Sequence, residues 1–404
     1  MRKAGFPFIL PFRITDDMDK NTEKACLCAL NRIFGFEPKI GLALLSHLGS
    51  AEDFFRLSGK DLDILLGPYS RYRKHLSWSN IEKEYEELVR ISGKGIRFTG
   101  WTEDGYPEML KDCPDAPIGL YVRSSTPDSG LGGCRRAVSV VGTRDISPYG
   151  REWCTRIVQS LGSCPEKPAI VSGLAIGTDV CAHRTALDAG LPTIAVMATG
   201  PDSVYPIRHA DFAERLCCTA GCALVTDYPP GTSPLAIHFL RRNRIIAGLS
   251  EATLLIESKI KGGGMMTANL ASSYSRDVYA VPGRIDDIRS QGCNLLIKNK
   301  VAEAVTGESD FLKSLGMTAS AKTQKVTDKE HIAETYRGRM PSDRIEMLTR
   351  ALITIRKHRG ITVEELADTL LIDYGSAAML TGLLESDGFI NIDLLQRCCI
   401  NIAK

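Results

Sequence analysis

The chain has 404 residues, more than one ordinary hydrophobic core requires, so we expect two or three domains. Its 44% hydrophobic and 24% charged residues are typical of a globular protein. The formal net charge is only +2, which excludes bulk charge as a reason to expect nucleic-acid binding. Any basic surface must therefore be local.

The 13 cysteines do not follow a metal or disulfide pattern. Their number is odd, and no Cys-x-x-Cys pair occurs. Three pairs of cysteines lie too close to each other in sequence for zinc spacing or simple disulfides. These close pairs are Cys26/Cys28, Cys217/Cys218 and Cys398/Cys399. We expect reduced, mostly buried thiols, no metal ligands and no cofactor.

The N-terminus carries a short apolar run, Phe6–Phe12, that two prolines interrupt. No small-residue cleavage site follows it, so it does not match a signal peptide. No stretch approaches the roughly 18 apolar residues of a membrane helix. The sequence predicts a soluble cytoplasmic protein without membrane contact.

Residues 20–90 show helical spacing of apolar residues. The pattern predicts a helix ending near Phe34, a second helix closing on Gly49, and Ser50 as the cap of a third. Small helices joined by a Leu-Gly-Ser hinge are typical of SAM-like or helix-hairpin-helix modules, and a plain helical bundle remains an equal alternative.

From Ala137 onward, short apolar strands alternate with helical patterns. This alternation predicts a doubly wound parallel sheet, an α/β fold. The predicted strands are Ala137–Val141, Ala169–Ser172, Thr193–Met197, Ala223–Thr226, Ala252–Ile256 and Val278–Val281. Two further strands, Gly95–Gly100 and Ile118–Arg123, precede them. The loop Ser124–Gly133 connects the second of these to the first strand of the parallel sheet.

The composition changes after Leu315. Thr318–Lys329 is polar and predicts a linker. Three helices and a strand follow, with Thr362 and Glu365 as a capping box, and this order is typical of a winged helix. We therefore assign residues 1–92 to a helical domain, 93–316 to the α/β domain, 317–341 to the linker and 342–404 to the winged-helix-like domain.

Three strand-to-helix segments carry candidate ligand-binding residues. Gly142, Thr143 and Arg144 follow the first parallel strand, where a phosphate site and a plain turn are equally compatible with the spacing. Gly173 begins a second turn; there Asp179 is placed to cap a helix, and His183 is more simply structural than catalytic.

The third segment combines an arginine-rich helix with a glycine turn. Backbone N–H groups at a glycine-rich helix start bind anions, and arginines next to an aromatic ring suit a single strand of nucleic acid. The predicted contacts are Phe239, Arg242, Asn243, Arg244, Gly262, Gly263, Gly264 and Thr267.

Eight motifs in order resemble the DNA-processing protein A family (DprA, also called Smf). They are Val141–Arg144, Ser172–His183, Val204–Pro206, Tyr228–Pro234, Arg242–Ser250, Thr267–Ala268, Ala280–Gly283 and Gly292–Ile297. The resemblance implies an extended Rossmann-like fold that binds single-stranded DNA, loads the RecA recombinase onto it and protects incoming DNA in natural transformation. It also implies a homodimer through the Rossmann-like domain and no catalytic residues.

Three places depart from that family pattern, and one is Gly263–Met266, where relatives usually have Gly-Ser-Leu/Met-Ile. Ile176 stands where many relatives have Arg or Lys, and Leu240 replaces a usual proline. One alternative is a nucleotide-cleaving enzyme of the lysine-decarboxylase-like fold, but no Glu stands in place after Thr267. The other alternative is a regulator that binds duplex DNA through the tail, although the predicted third helix, Tyr374–Ser386, has no Arg or Lys.

Overall fold

The computed structural model describes residues 16–125, 131, 136–317, 328–358, 360–393 and 396–400. The apolar run Phe6–Phe12 lies outside these residues, as do most of the loop Ser124–Gly133 and most of the linker stretch Thr318–Lys329.

The N-terminal part is helical. Its helices are α1 Asp16–Phe34, α2 Pro38–Leu48, α3 Ala51–Arg56, α4 Gly59–Leu66 and α5 Trp78–Ser92. As predicted, Gly49 ends α2 with a φ of 82°, and the Ser50 hydroxyl accepts a hydrogen bond from the Asp53 amide at the start of α3. The assignment to a SAM-like module stays a prediction.

The described residues contribute nine strands to one sheet, in the order β1-β2-β6-β5-β4-β3-β7-β8-β9. The strands are β1 Ile96–Gly100, β2 Gly119–Arg123, β3 Ala137–Val141, β4 Ala169–Ser172, β5 Thr193–Val196, β6 Ala223–Thr226, β7 Ala252–Leu255, β8 Asp277–Ala280 and β9 Glu303–Ala304. Strands β3 to β9 run parallel, whereas β1 and β2 extend one edge antiparallel. The predicted doubly wound, mostly parallel Rossmann-like α/β sheet is confirmed.

Helices cover both faces of this sheet. They are α6 Glu108–Lys111, α7 Pro148–Gly162, α8 Thr178–Asp188, α9 Ala210–Cys217, α10 Ala236–Gly248, α11 Gly263–Ser273, α12 Gln291–Lys298 and α13 Glu308–Ser314. Ile245 of α10 and Ala268 of α11 pack on one face, and Ile157 of α7 and Ala182 of α8 pack on the other.

Helix α11 begins earlier than its sequence pattern predicts. The helical pattern of its sequence begins at Thr267, but the helix begins at Gly263 with Gly262 as the N-cap. Glycine has a low helix propensity, so the sequence pattern does not predict a helical turn at these glycines. Packing against the rest of the fold stabilises this turn. The glycines therefore form the first turn of the helix itself.

The C-terminal part has its own core. Its elements are α14 Asp328–Tyr336, α15 Ser342–Lys357, α16 Val363–Leu370, α17 Tyr374–Ser386, β10 Ile390–Ile392 and β11 Cys398–Ile400. Strands β10 and β11 pair antiparallel, and the predicted capping box of Thr362 and Glu365 is present. The winged-helix interpretation stays a prediction.

Helix α14 lies in the stretch 317–341 that composition assigned to a linker. Ile332 and Tyr336, four residues apart, are buried in the C-terminal core. Two apolar positions are too few to stand out as a helical pattern, so only the packing reveals this helix. The domain boundaries themselves stay predictions.

Two further observations concern the described residues as a whole. None of their helices has the length and apolar character that crossing a membrane demands. In that same part of the chain, no three His, Cys, Asp or Glu side chains cluster as metal ligands would.

Candidate nucleic-acid interface

The candidate site lies where the winding of the sheet reverses. The chain proceeds from β3 through β4 and β5 to β6 in one direction, and then continues from β7 on the other side of β3. The loops after β3 and β7 therefore separate at the carboxyl edge and leave a crevice between them. In open α/β sheets, ligands bind at such a switch point.

A cavity of about 320 Å³ occupies this crevice. It gathers ten of the twelve predicted contacts: Gly142, Thr143, Arg144, Phe239, Arg242, Asn243, Gly262, Gly263, Gly264 and Thr267. Gly173 and Arg244 do not line it. The fold thus brings together two segments that are about a hundred residues apart in sequence.

Two backbone segments form the floor of the cavity. A Cβ added to Gly264 would lie 2.7 Å from Leu255 Cδ1 and 3.2 Å from the Cα of Gly142. A Cβ on Gly142 would lie 2.5 Å from Thr178 Oγ1. Only glycine therefore permits the loop after β3 to touch the first turn of α11.

The N-terminus of α11 opens into the same cavity. The first amide N–H groups of any α-helix lack partners within the helix, and the helix dipole adds positive potential there. Gly262, Gly263 and Gly264 line the cavity at this end, and Lys259 stands beside them. This geometry suits an anionic group such as phosphate.

Arg144 and Phe239 lie side by side on the cavity wall. The Arg144 guanidinium carbon is 5.7 Å from the centroid of the Phe239 ring, a cation–π distance. The stacking holds the guanidinium next to the phosphate-sized cavity while leaving its donors available for a ligand. A positive group beside an aromatic ring matches the alternation of phosphate and base in a single strand.

Arg242 is a buried cation at the inner end of the cavity. Its Nη1 donates a hydrogen bond to the Val196 carbonyl at 2.6 Å, while its Nε has no partner among the described residues. Burial lowers the pKa of Arg242, and nearby Asp179 opposes this shift. A buried positive charge that lines a cavity favours an anionic ligand there.

Gly173 supports this arginine instead of lining the cavity. A Cβ at Gly173 would overlap the Arg242 guanidinium, so glycine is required for the buried path of that side chain. The predicted phosphate contact at Gly173 is therefore not brought into the cavity, although the position still shapes it.

Arg244 lies away from the cavity and is already paired. Its Nη2 donates to Asp227 Oδ2 at 2.6 Å, both side chains are buried, and its Nη1 donates to the Asp115 carbonyl. On the same helix, Arg242 and Arg244 point in different directions because helical residues two apart do not share a face. A phosphate contact by Arg244 stays a prediction that this arrangement does not favour.

Sequence reasoning missed several residues that line the cavity. Asp179, Ser258 and Lys259 all contribute to it. Asp179 was expected to cap a helix, but α8 begins at Thr178 with Gly177 as the N-cap, and Asp179 Oδ2 accepts a long 3.4 Å hydrogen bond from the Ala175 amide instead. The sequence signal for Lys259 was its position between β7 and the glycine turn, four residues after Leu255 and three before Gly262.

Comparison with known proteins agrees with this geometry. Residues 97–316, more than half of the chain, match the family model described as DNA recombination-mediator protein A. The chain belongs to this family.

Two curated relatives illustrate the relation. The chain is 32% identical over 301 residues to Protein Smf of Synechocystis sp., covering 73% of each protein. It is 37% identical over 234 residues to DNA processing protein DprA of Streptococcus pneumoniae, covering 58% of this chain and 77% of that protein. The X-ray structure of DprA from Streptococcus pneumoniae superposes with a TM-score of 0.56 at 29% identity, covering 75% of this chain and 98% of that one.

Most polar side chains that are candidates for catalysis form hydrogen bonds with other parts of the fold. Glu257 is buried and accepts hydrogen bonds from the Ser147 amide and hydroxyl at the start of α7. His183 Nδ1 lies 2.7 Å from the Thr193 hydroxyl, and His238 Nδ1 lies 3.1 Å from the Ser233 carbonyl. The structural role expected for His183 is consistent with these contacts.

Asp179 is the exception among these polar groups. It lines the cavity, and burial raises the pKa of its carboxyl above its ordinary value while Arg242 opposes that rise. Its side chain is therefore the candidate for a chemical role in the cavity.

The N-terminal helices hold the helix that carries this site. Arg241 of α10 donates to the carbonyls of Gly35 and Phe36, and its guanidinium carbon lies 4.3 Å from the Phe36 ring centroid. Asn31 of α1 donates to the Asp227 carbonyl at 2.8 Å. The position of α10 therefore depends on contacts with the loop between α1 and α2.

Proposed function

We propose that this protein binds single-stranded DNA in the cavity between the β3 and β7 loops, without catalysing a reaction on it. The observation that carries the proposal is the combination of backbone donors at α11, the Arg144–Phe239 pair and the buried Arg242 around one phosphate-sized space. Phosphates would bind in the phosphate cradle, which is formed by the first turn of α11 at Gly262–Gly264 and the β3 loop at Gly142, while a base stacks next to Arg144.

Family membership suggests what such binding serves. We propose that the protein protects incoming single strands in the cytoplasm and loads the RecA recombinase onto them during natural transformation, and that it acts as a homodimer through its Rossmann-like domain. The RecA role is tested by following RecA filament assembly on single strands coated with a single-strand-binding protein, with and without this protein. Light scattering of the purified chain measures its oligomeric state.

Gel-shift titrations test the binding proposal directly. They compare a single-stranded oligonucleotide with its duplex at two salt concentrations. Changing Arg144 to Ala should weaken single-strand binding and reduce the salt slope by about one phosphate contact. The matched control is Arg90→Ala, which removes an exposed arginine on α5. Equal affinity and slope in Arg144→Ala and the control would contradict the assignment.

The second candidate is nucleotide cleavage, which the raised pKa of Asp179 in the cavity favours. A buried carboxyl with a raised pKa in a cavity is a candidate general acid, a group that donates a proton to a leaving group. We expect no release of base, phosphate or fragments from nucleoside monophosphates, ATP or single-stranded DNA, with or without Mg²⁺. Release that disappears in Asp179→Asn would favour the enzyme.

A further inference from the structure

The segment Val204–Pro206 belongs to the family motifs, yet none of the contacts above involves it. Tyr205 lies in this segment, outside the cavity lining, and 48% of its side-chain surface is exposed. Its ring centroid is 5.4 Å from that of Phe239, with an interplanar angle of 66°.

Phe239 links Tyr205 to the cationic part of the site. Arg144 packs against Phe239 at 5.7 Å, so the guanidinium and the two aromatic rings form a continuous row. The row begins at the phosphate cradle and ends at an exposed ring. A strand of nucleic acid that leaves the cradle along this row meets Tyr205 after Phe239.

The geometry of the pair leaves ring surface available. Two rings in edge-to-face contact cannot cover both faces of either ring. Tyr205 is also followed by Ile207, which is 79% exposed, so the apolar surface continues beyond it. A flat, partly exposed aromatic ring next to a phosphate site is the arrangement on which unpaired bases stack.

We propose that Tyr205 stacks on an unpaired base of the strand held in the cradle, and thereby makes the site select unpaired nucleic acid. This inference rests on the proposed function and adds a base-binding subsite to it. In a duplex the faces of the bases are covered by their neighbours, so the subsite contributes nothing to duplex binding. The phosphate cradle alone does not make that distinction, because both forms present phosphates.

The test compares two oligonucleotides of twelve residues, one of thymidines and one of abasic sugars with the same phosphates. The wild-type chain should prefer the thymidine strand. Tyr205→Leu should reduce this preference by about tenfold, within the range measured for base stacking on aromatic residues, and leave the salt slope unchanged. Tyr205→Phe should keep the preference, because it keeps the ring.

Tyr85→Leu is the matched control, since it removes a tyrosine of 42% exposure on α5. Tyr205→Trp supplies an independent readout, because stacking on a base should quench the new indole fluorescence with thymidines and not with the abasic strand. This variant keeps an aromatic ring at the position, so it answers the question even where Tyr205→Leu disturbs folding.

The outcomes separate the two proposals. An unchanged preference in Tyr205→Leu, or equal fluorescence of Tyr205→Trp with both strands, overturns the stacking subsite and leaves the cradle intact. A wild-type chain that binds neither strand overturns the proposed function, and the subsite with it.

Discussion

At the scale of single residues, the two arginines that look alike in sequence have different surroundings. Arg242 reaches the cavity, whereas Arg244 forms a buried pair with Asp227. Removing one partner of a buried ion pair leaves an uncompensated charge, which typically costs about 3–5 kcal/mol.

We therefore expect Arg244→Ala to lower the free energy of unfolding by about 3 kcal/mol or more, as measured by chemical denaturation. The matched control is Arg284→Ala, which breaks the exposed pair of Arg284 and Asp286 and should leave stability unchanged. If Arg244→Ala unfolds like the wild type but loses DNA binding, Arg244 contacts phosphate as the sequence suggested.

His183 predicts a pH dependence of stability. Burial, together with the smaller effect of nearby Arg242, lowers the pKa of His183 from its ordinary 6.5 to about 3. Between these two values the unfolded chain binds a proton that the folded chain does not. The free energy of unfolding therefore falls as the pH falls from about 6.5 towards 3, by at most about 1.4 kcal/mol per pH unit from this group.

His183→Gln removes this contribution. Other groups titrate in the same range, so the measured quantity is the difference between the wild type and His183→Gln in unfolding free energy at several pH values. That difference should change with pH below about 6.5 and stay constant above it. A difference that is constant throughout would mean that the folded protein admits the charged imidazole.

At the scale of elements, the contact between the β3 loop and α11 defines the cradle. Gly264→Ala places a Cβ against Leu255 and the Gly142 backbone. We expect it to push the two segments apart and weaken single-strand binding by about tenfold, equivalent to one lost charge-assisted hydrogen bond. Fluorescence anisotropy with a labelled oligonucleotide measures this.

The control for that substitution is Gly382→Ala on α17. A Cβ there meets nothing within 4 Å, so alanine should raise the helix propensity and stabilise the chain by about 0.5–1 kcal/mol without changing DNA affinity. If Gly264→Ala behaves like Gly382→Ala, the glycines do not form the binding surface.

At the scale of the whole molecule, the N-terminal helices and the C-terminal part relate differently to the site. One face of the β1–β2 extension is buried by the N-terminal helices, through Ile96, Phe98, Ile118 and Tyr121. A core that begins at residue 95 would expose these side chains, each worth about 1.5–3 kcal/mol when buried. It would also lose the Arg241 contacts that hold α10.

We expect a chain ending at residue 317 to keep single-strand binding, because the lining of the cavity lies before that point and α17 carries no Arg or Lys. A chain beginning at residue 95 should unfold at a lower temperature and bind more weakly. Anisotropy and thermal unfolding of both truncated chains measure this. Binding that survives only in the isolated C-terminal part would mean that the site lies there and not between the β3 and β7 loops.

The sequence by itself determined the mostly parallel α/β sheet of this protein. Short, nearly continuous apolar strands such as Ala137–Val141 are typical of a parallel sheet that helices cover on both faces, so their length and apolar pattern suffice to predict them. Gly49, Ser50 and Thr362 were assigned correctly because caps depend on residues close together in the chain.

Only the tertiary structure decided which residues meet at the site. Whether Arg242 or Arg244 faces the cavity depends on the orientation of α10 against β5 and the N-terminal helices. Tyr205 contacts Phe239, which is 34 positions later in the chain. The start of α11 at glycine and the role of Gly173 follow from close packing between distant backbones. Such contacts cannot be predicted from neighbouring residues, because they depend on how segments far apart in sequence pack against each other.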